Sequence, residues 1–238
     1  MATGTGIVLE LRLEAEGLSG WIACPPGLHP APGQYLAASG SDPGDPLPSV
    51  LFTSGASNAY APPVAAGQAA LRLAPPLPPA WYAGMPLALR GPLGNGFHMP
   101  ASARRVALAC PAGPPYRLLP LAAQALSQRA AVVVYASAAP AGLPEAVEVL
   151  PLDLLTEAPA WADFIALDVC PADLPGLRTQ LGLKPHQRPP CQVQALIVTP
   201  MPCIGMAECG ICAVHTREGW KLACSNGPVF DFNDLEGT

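Results

Sequence analysis

The chain has 238 residues and a net charge of −5, and charged residues make up 12% of it, about half the usual share of roughly 25%. Its 32 prolines and 23 glycines come close to the level of about 25–30% that marks low complexity, but half the residues are apolar, so a buried core can offset the chain entropy. Twelve Lys and Arg against 17 Asp and Glu, with no basic stripe, argue against a nucleic-acid partner held through phosphates.

Mean hydropathy is +0.31. The long uncharged stretches, 46–71 and 189–207, are broken by prolines, whereas a spanning helix needs about 20 continuous helix-compatible apolar residues. No membrane span is expected. The N-terminal stretch lacks a basic region and carries Glu10, so it does not read as a signal peptide. The expected location is the cytoplasm, where thiols stay reduced. There the eight cysteines point to metal ligation or buried thiols before disulfides.

Residues 7–14 alternate, with Leu9, Leu11 and Leu13 opposite Glu10, Arg12 and Glu14. That is the pattern of a half-buried antiparallel strand with the leucines inward. Short apolar runs follow at 21–24, 35–38, 50–53, 69–73 and 86–90, separated by Gly, Pro, Asn and Ser clusters. Many short strands with turn signals predict a small antiparallel β-barrel over 1–100.

The pattern then changes. Apolar runs at 106–110, 131–137, 147–150 and 164–169 alternate with helical stretches at 118–128 and 174–181, which predicts a parallel α/β domain over 101–185. A linker-like 184–190 leads into a Cys-rich segment, 186–238, holding five of the eight cysteines.

The strongest chemical signal is Cys203, Cys209, Cys212 and Cys224, a C-x5-C-x2-C-x11-C pattern. The first three lie on a loop with Gly205 and Gly210, whose freedom lets backbone N–H groups turn inward around an object. Strands at 213–215 and 220–223, paired His215 to Trp220, put Cys212 opposite Ala223 and bring Cys224 within reach. Four converging thiolates take zinc or an iron–sulfur cluster. Structural zinc usually shows two short knuckles, whereas one C-x2-C behind a longer loop lies close to plant-type [2Fe–2S] spacing. The remaining readings are zinc, four unliganded thiols and a disulfide. Cys24, Cys110 and Cys170 read as small buried hydrophobes, and Cys191 as a core or surface thiol. His29, His98 and His186 lack acid–base companions, while His215 and Trp220 read as hairpin residues.

The segment from Met201 to Val214, with Cys224-Ser225-Asn226-Gly227-Pro228-Val229-Phe230, resembles the C-terminal iron–sulfur segment of the electron-transfer subunit of type B dihydroorotate dehydrogenase. Gly91-Pro92-Leu93-Gly94-Asn95-Gly96-Phe97 is similar to the family's stretch at the end of its flavin-binding barrel. Pro32-Gly33-Gln34-Tyr35 is like the PGQ-aromatic segment of ferredoxin reductase-type barrels. The resemblance implies a ferredoxin reductase-like barrel, a central α/β domain and a small C-terminal [2Fe–2S] domain. It also implies a relay of electrons from a flavin-containing dihydroorotate dehydrogenase-like catalytic subunit in pyrimidine biosynthesis, not a stand-alone enzyme. The alternative is a non-redox interaction subunit with structural zinc on the same four cysteines.

Three departures qualify what the resemblance implies. The family holds FAD with an Arg-Pro-x-Ser-type segment, but here Pro46, Leu47, Pro48 and Ser49 supply no Arg, the side chain that offers a pyrophosphate its bidentate fork. Arg72 and Arg90 read as charges at solvated strand edges. The family's Gly-rich turn is reduced to Gly113 among Pro111, Pro114 and Pro115, and prolines supply no N–H to a phosphate. The Cys-Gly-Pro of the family's nicotinamide site appears as Cys170-Pro171. FAD in the family's manner is therefore in question, and NAD is not expected.

Overall fold

The computed structural model describes residues 2–40, 47–55, 61–137, 139–140 and 143–235. Six strands form an antiparallel sheet: β1 (Ala2–Glu14), β2 (Gly17–Cys24), β3 (Tyr35–Gly40), β4 (Ser49–Phe52), β5 (Ala69–Leu73) and β6 (Pro86–Leu93). Their order is β4-β3-β6-β1-β2-β5. A bridge from Thr53 to Leu73 joins the two outer strands, so the sheet curls into a barrel.

The barrel interior is filled by Val8, Ile22, Cys24, Leu36, Leu51 and Leu87 among others. Side chains alternate sides along a strand, and in β3 both sides are buried: Leu36 and Ala38 point into the barrel, while Tyr35 and Ala37 join a second core outside it. That is why residues 35–38 read as a continuous apolar run.

The leucine face of β1 departs from the expected one. The β1–β2 register shifts between Val8 and Glu10, a bulge that breaks the period-2 pattern at Leu9. Leu11 still packs against the barrel core, but Leu13, at the hairpin end, is 83% exposed.

The second sheet has the order β14-β11-β10-β7-β8-β9, built from β7 (Arg105–Ala109), β8 (Ala131–Tyr135), β9 (Val147–Leu150), β10 (Phe164–Val169), β11 (Gln192–Ile197) and β14 (Val229–Asp231). Neighbouring strands from β9 to β11 run parallel, and β14 adds an antiparallel edge. All six residues of β10 are buried, as a strand covered on both faces requires. The helices are α1 (Leu119–Ser127), α2 (Ala158–Trp161), α3 (Leu174–Gln180) and α4 (Ala223–Asn226). The helix expected at 118–128 is α1, preceded by a 3₁₀ turn at Tyr116–Leu118, and Pro120 falls in its first turn, where a missing N–H is tolerated.

Strands β11 and β14 come from the Cys-rich segment yet complete the central sheet, so this segment has no separate core. Its own sheet is the hairpin of β12 (Ala213–Thr216) and β13 (Gly219–Leu222). One continuous core runs from Tyr35 through Val106 and Phe164 to Cys212, Cys224 and Phe232. No described helix is long and apolar enough to cross a membrane.

Candidate metal centre

The hairpin register is His215 to Trp220, as the sequence predicts, and the Ala223 N–H donates to the Cys212 carbonyl at 2.9 Å. The chain then leaves the ladder: residues 223–226 form the helical turn α4, which carries Cys224. The loop before the hairpin turns on four residues with positive φ, Ile204 (44°), Gly205 (75°), Ala207 (60°) and Gly210 (69°). Two of these are not glycine, an uncommon backbone state for residues with a side chain.

This turning brings the predicted cysteines into two pairwise contacts. The Cys203 thiol is lowered to about 7, first by its hydrogen bond with Cys209 and then by the N–H groups of Cys209, Glu208 and Ala207. Burial pushes Cys224 up to about 11, helped by its contact with Cys212 and the nearness of Cys203, and the Ala207 N–H opposes the rise. Cys203 and Cys209 thus form one contacting pair and Cys212 and Cys224 another, with Cys203 near enough for its charge to act on Cys224. Cys212 is 1% and Cys224 3% exposed, Cys203 is half-buried and Cys209 is exposed. Among the described residues, no three His, Cys, Asp or Glu side chains stand close enough together to hold a metal ion. The sulfurs stand as two pairs near backbone N–H donors, an arrangement that would suit a two-iron cluster with two cysteine sulfurs on each iron.

The other cysteines lie apart from the quartet. Burial pushes Cys24 up to about 11 and Cys110 up to about 12, and both are buried. Cys191 is half-buried and also raised to about 11. Cys170 is not the buried hydrophobe expected: half-buried, its thiol donates to Asp173 Oδ2 at 2.9 Å at a helix start. His215 stacks on Trp220 with ring centroids 4.7 Å apart, and Trp220 is 70% exposed.

The two barrel segments that carry the resemblance grip the Cys-rich segment. Tyr35, fully buried, donates from its hydroxyl to the Cys224 carbonyl at 3.1 Å. Asn95 donates from Nδ2 to the Asn226 carbonyl at 2.7 Å and from its backbone N–H to Gly227 at 2.5 Å. Gln34 ties the two segments by donating to the Gly94 carbonyl at 3.1 Å. Arg72 and Arg90 do not cap solvated edges. Arg72 is half-buried and pairs with Glu14 at 3.4 Å, and half-buried Arg90 donates to the Ile204 carbonyl beside Cys203. Sequence reasoning missed this role, because neither contact partner is near in sequence.

A cavity of about 410 Å³ opens between the barrel and the second sheet, lined by Leu47, Pro48, Phe52, Pro75, Pro200 and Ile211, with Arg117 at its side. Ser49 starts β4, and Pro46 lies outside the described residues. Arg117 is the one charged side chain among the described residues lining this cavity, and its guanidinium is closed on buried Asp168 by contacts of 2.9–3.2 Å. Residues 41–46 and 56–60 contain no Lys or Arg. The apolar walls suit a flat ring, and among the described residues lining this cavity no cation is left free to meet the diphosphate of FAD. At the carboxyl ends of β7 and β10, where a dinucleotide would lie, the Cys110–Arg117 turn carries prolines and the same Arg117–Asp168 pair. Gly113 has open space around it.

Residues 200–236 match the iron–sulfur cluster binding domain of dihydroorotate dehydrogenase B. The whole chain is similar in fold to an NADH-dependent reduced ferredoxin–NADP oxidoreductase studied for flavin-based electron bifurcation. That likeness has a TM-score of 0.71 at 15% identity, covering 97% of this chain and 89% of that one. A ferredoxin NADP+ reductase from Neisseria gonorrhoeae, solved with FAD and NADP, gives 0.53 at 14% identity, covering 82% and 98%. The ferredoxin reductase of carbazole 1,9a-dioxygenase gives 0.55 at 17% identity, covering 78% and 67%. No curated protein matches the chain in sequence. The ferredoxin reductase-like fold and the iron–sulfur segment together fit an electron-transfer subunit of dihydroorotate dehydrogenase B, as the resemblance implied.

Proposed function

We propose that the chain is an electron-transfer subunit holding one [2Fe–2S] cluster on Cys203, Cys209, Cys212 and Cys224, working beside a flavin-containing catalytic subunit of the dihydroorotate dehydrogenase type. One observation carries the reading: Cys203 contacts Cys209 and Cys212 contacts Cys224, within the segment 200–236 that matches the cluster-binding domain. A bound cluster would supply one-electron transfer at a potential set by hydrogen bonds to its sulfurs and by solvent exposure.

The chain's own residues do the rest. The N–H groups of Ala207, Glu208 and Cys209 donate toward Cys203, which favours its thiolate. Burial of Cys212 and Cys224 keeps water from one side. Cys209 is exposed on the other, with Met206 and Ile211, each 59% exposed, close by in sequence. That apolar edge suits approach of a partner's redox centre. The match of residues 200–236 supports the family of the partner, and pyrimidine biosynthesis is its proposed setting.

Anaerobic purification followed by iron, zinc and acid-labile sulfide assay tests the reading. The expected result is two irons and two sulfides per chain, a visible spectrum that bleaches on reduction, and loss of both in Cys212→Ser. Zinc without iron, or a metal-free chain that still supports partner turnover, would overturn it.

A further inference from the structure

Both ends of the cysteine quartet are held from the barrel. Three groups meet around Gly205: a methyl there would lie 3.5 Å from the Cys224 carbonyl oxygen, 3.6 Å from the Tyr35 hydroxyl and 3.8 Å from Arg90 Nη2. Tyr35 on β3 holds the Cys224 carbonyl. Arg90 on β6 holds the Ile204 carbonyl, next to Cys203 and at one of the positive-φ residues of the loop. An unsupported loop would relax from such a backbone state.

Arg90 carries a second signal. It is half-buried, and its Nε is buried with no acceptor among the described residues. No carboxylate pairs with it among them either. A guanidinium left like this is costly unless negative charge lies nearby. Four thiolates and the inorganic sulfides of a cluster would be such a charge, and an added electron would increase it.

We propose that Arg90 is a positioning residue of the cysteine site. It fixes the Cys203–Cys209 loop through Ile204, and its charge favours the reduced state of the cluster. This rests on the iron–sulfur reading above. Tyr35 is the matching anchor at Cys224 and carries no charge.

The test is a redox titration of the purified chain, followed by visible absorption and EPR, for wild type, Arg90→Gln, Arg90→Lys and Tyr35→Phe. Arg90→Gln should lower the reduced-to-oxidised ratio at a fixed poise by about tenfold, a potential about 59 mV more negative for one electron. Arg90→Lys, which keeps the charge, should stay within about threefold of wild type, as should Tyr35→Phe. An Arg90→Gln ratio within threefold of wild type would overturn the charge role, and so would an equal fall in Arg90→Lys. Hydrogen exchange across residues 203–210 of the apoprotein reads the positioning role without a cluster. Faster exchange in Arg90→Gln supports it, and unchanged exchange overturns it. A wild-type chain without iron sinks the cluster reading instead, and the exchange measurement still decides whether Arg90 holds the loop.

Discussion

Gly94 is where the barrel meets the Cys-rich segment most tightly. Its φ is +72°, and a methyl there would sit 2.5 Å from Pro228 Cδ, 2.8 Å from the Gly227 carbonyl oxygen and 3.0 Å from Tyr35 Cε1. Two of those neighbours belong to backbone or a proline ring and cannot swing away. Gly94→Ala therefore carries left-handed strain of about 1–2 kcal/mol and overpacking of about 1–3 kcal/mol. The sum is about 2–5 kcal/mol, a large part of a typical total stability of about 5–15 kcal/mol. At about 2–4 °C per kcal/mol for a chain of this size, Tm should fall by about 10 °C. Gly67→Ala is the control: φ is +81° but nothing lies within 4 Å, so only the strain applies and Tm should fall by about 4 °C. Thermal unfolding followed by circular dichroism compares the two. Equal shifts would refute the claim that barrel and Cys-rich segment are locked together at Gly94.

Arg117→Ala should destabilise by about 3 kcal/mol at pH 7, the low end of the range for breaking a buried pair, because Arg117 is 22% exposed while Asp168 is 1% exposed. The loss depends on pH. Burial raises the Asp168 carboxyl and Arg117 opposes that rise, so without Arg117 the folded pKa stands further above the unfolded value of about 3.9. The part of the penalty that comes from the bared carboxylate is then absent at about pH 4, sets in above the raised wild-type folded pKa of Asp168 and grows as pH rises further. Denaturant melts at pH 4 and pH 7 check it, and an equal loss at both would refute it. In metal-free protein, iodoacetamide should label Cys203 fastest, with a rate that rises up to about pH 7 and then levels. Cys24 and Cys110, raised to about 11 and about 12, should stay unlabelled until the chain unfolds. Peptide mass spectrometry across a pH series reads this, and Cys24 labelled as fast as Cys203 would contradict it.

Local patterns carried much of the architecture. Strands β5, β9 and β10 have the bounds their apolar runs predict, because a buried strand needs an unbroken apolar or alternating run whatever its partner. The cysteine spacing and the hairpin register were equally legible, since a two-residue turn fixes which residues face each other. Other features were settled only by contacts between residues far apart in sequence. The bulge at Leu9 switched the inward face of β1 from Val8 to Leu11 through pairing with β2, and Leu13 lies exposed at the hairpin end. Strand β14 joined the central sheet beside β11 because its unpaired backbone groups needed a ladder. Arg90 and Tyr35 became holders of the Cys loop only when the barrel closed and brought them to Ile204 and Cys224, 114 and 189 residues away. Composition and spacing could name the donors of the metal centre, but the tertiary structure chose what grips them, because a hydrogen bond across the core leaves no periodic trace in the chain.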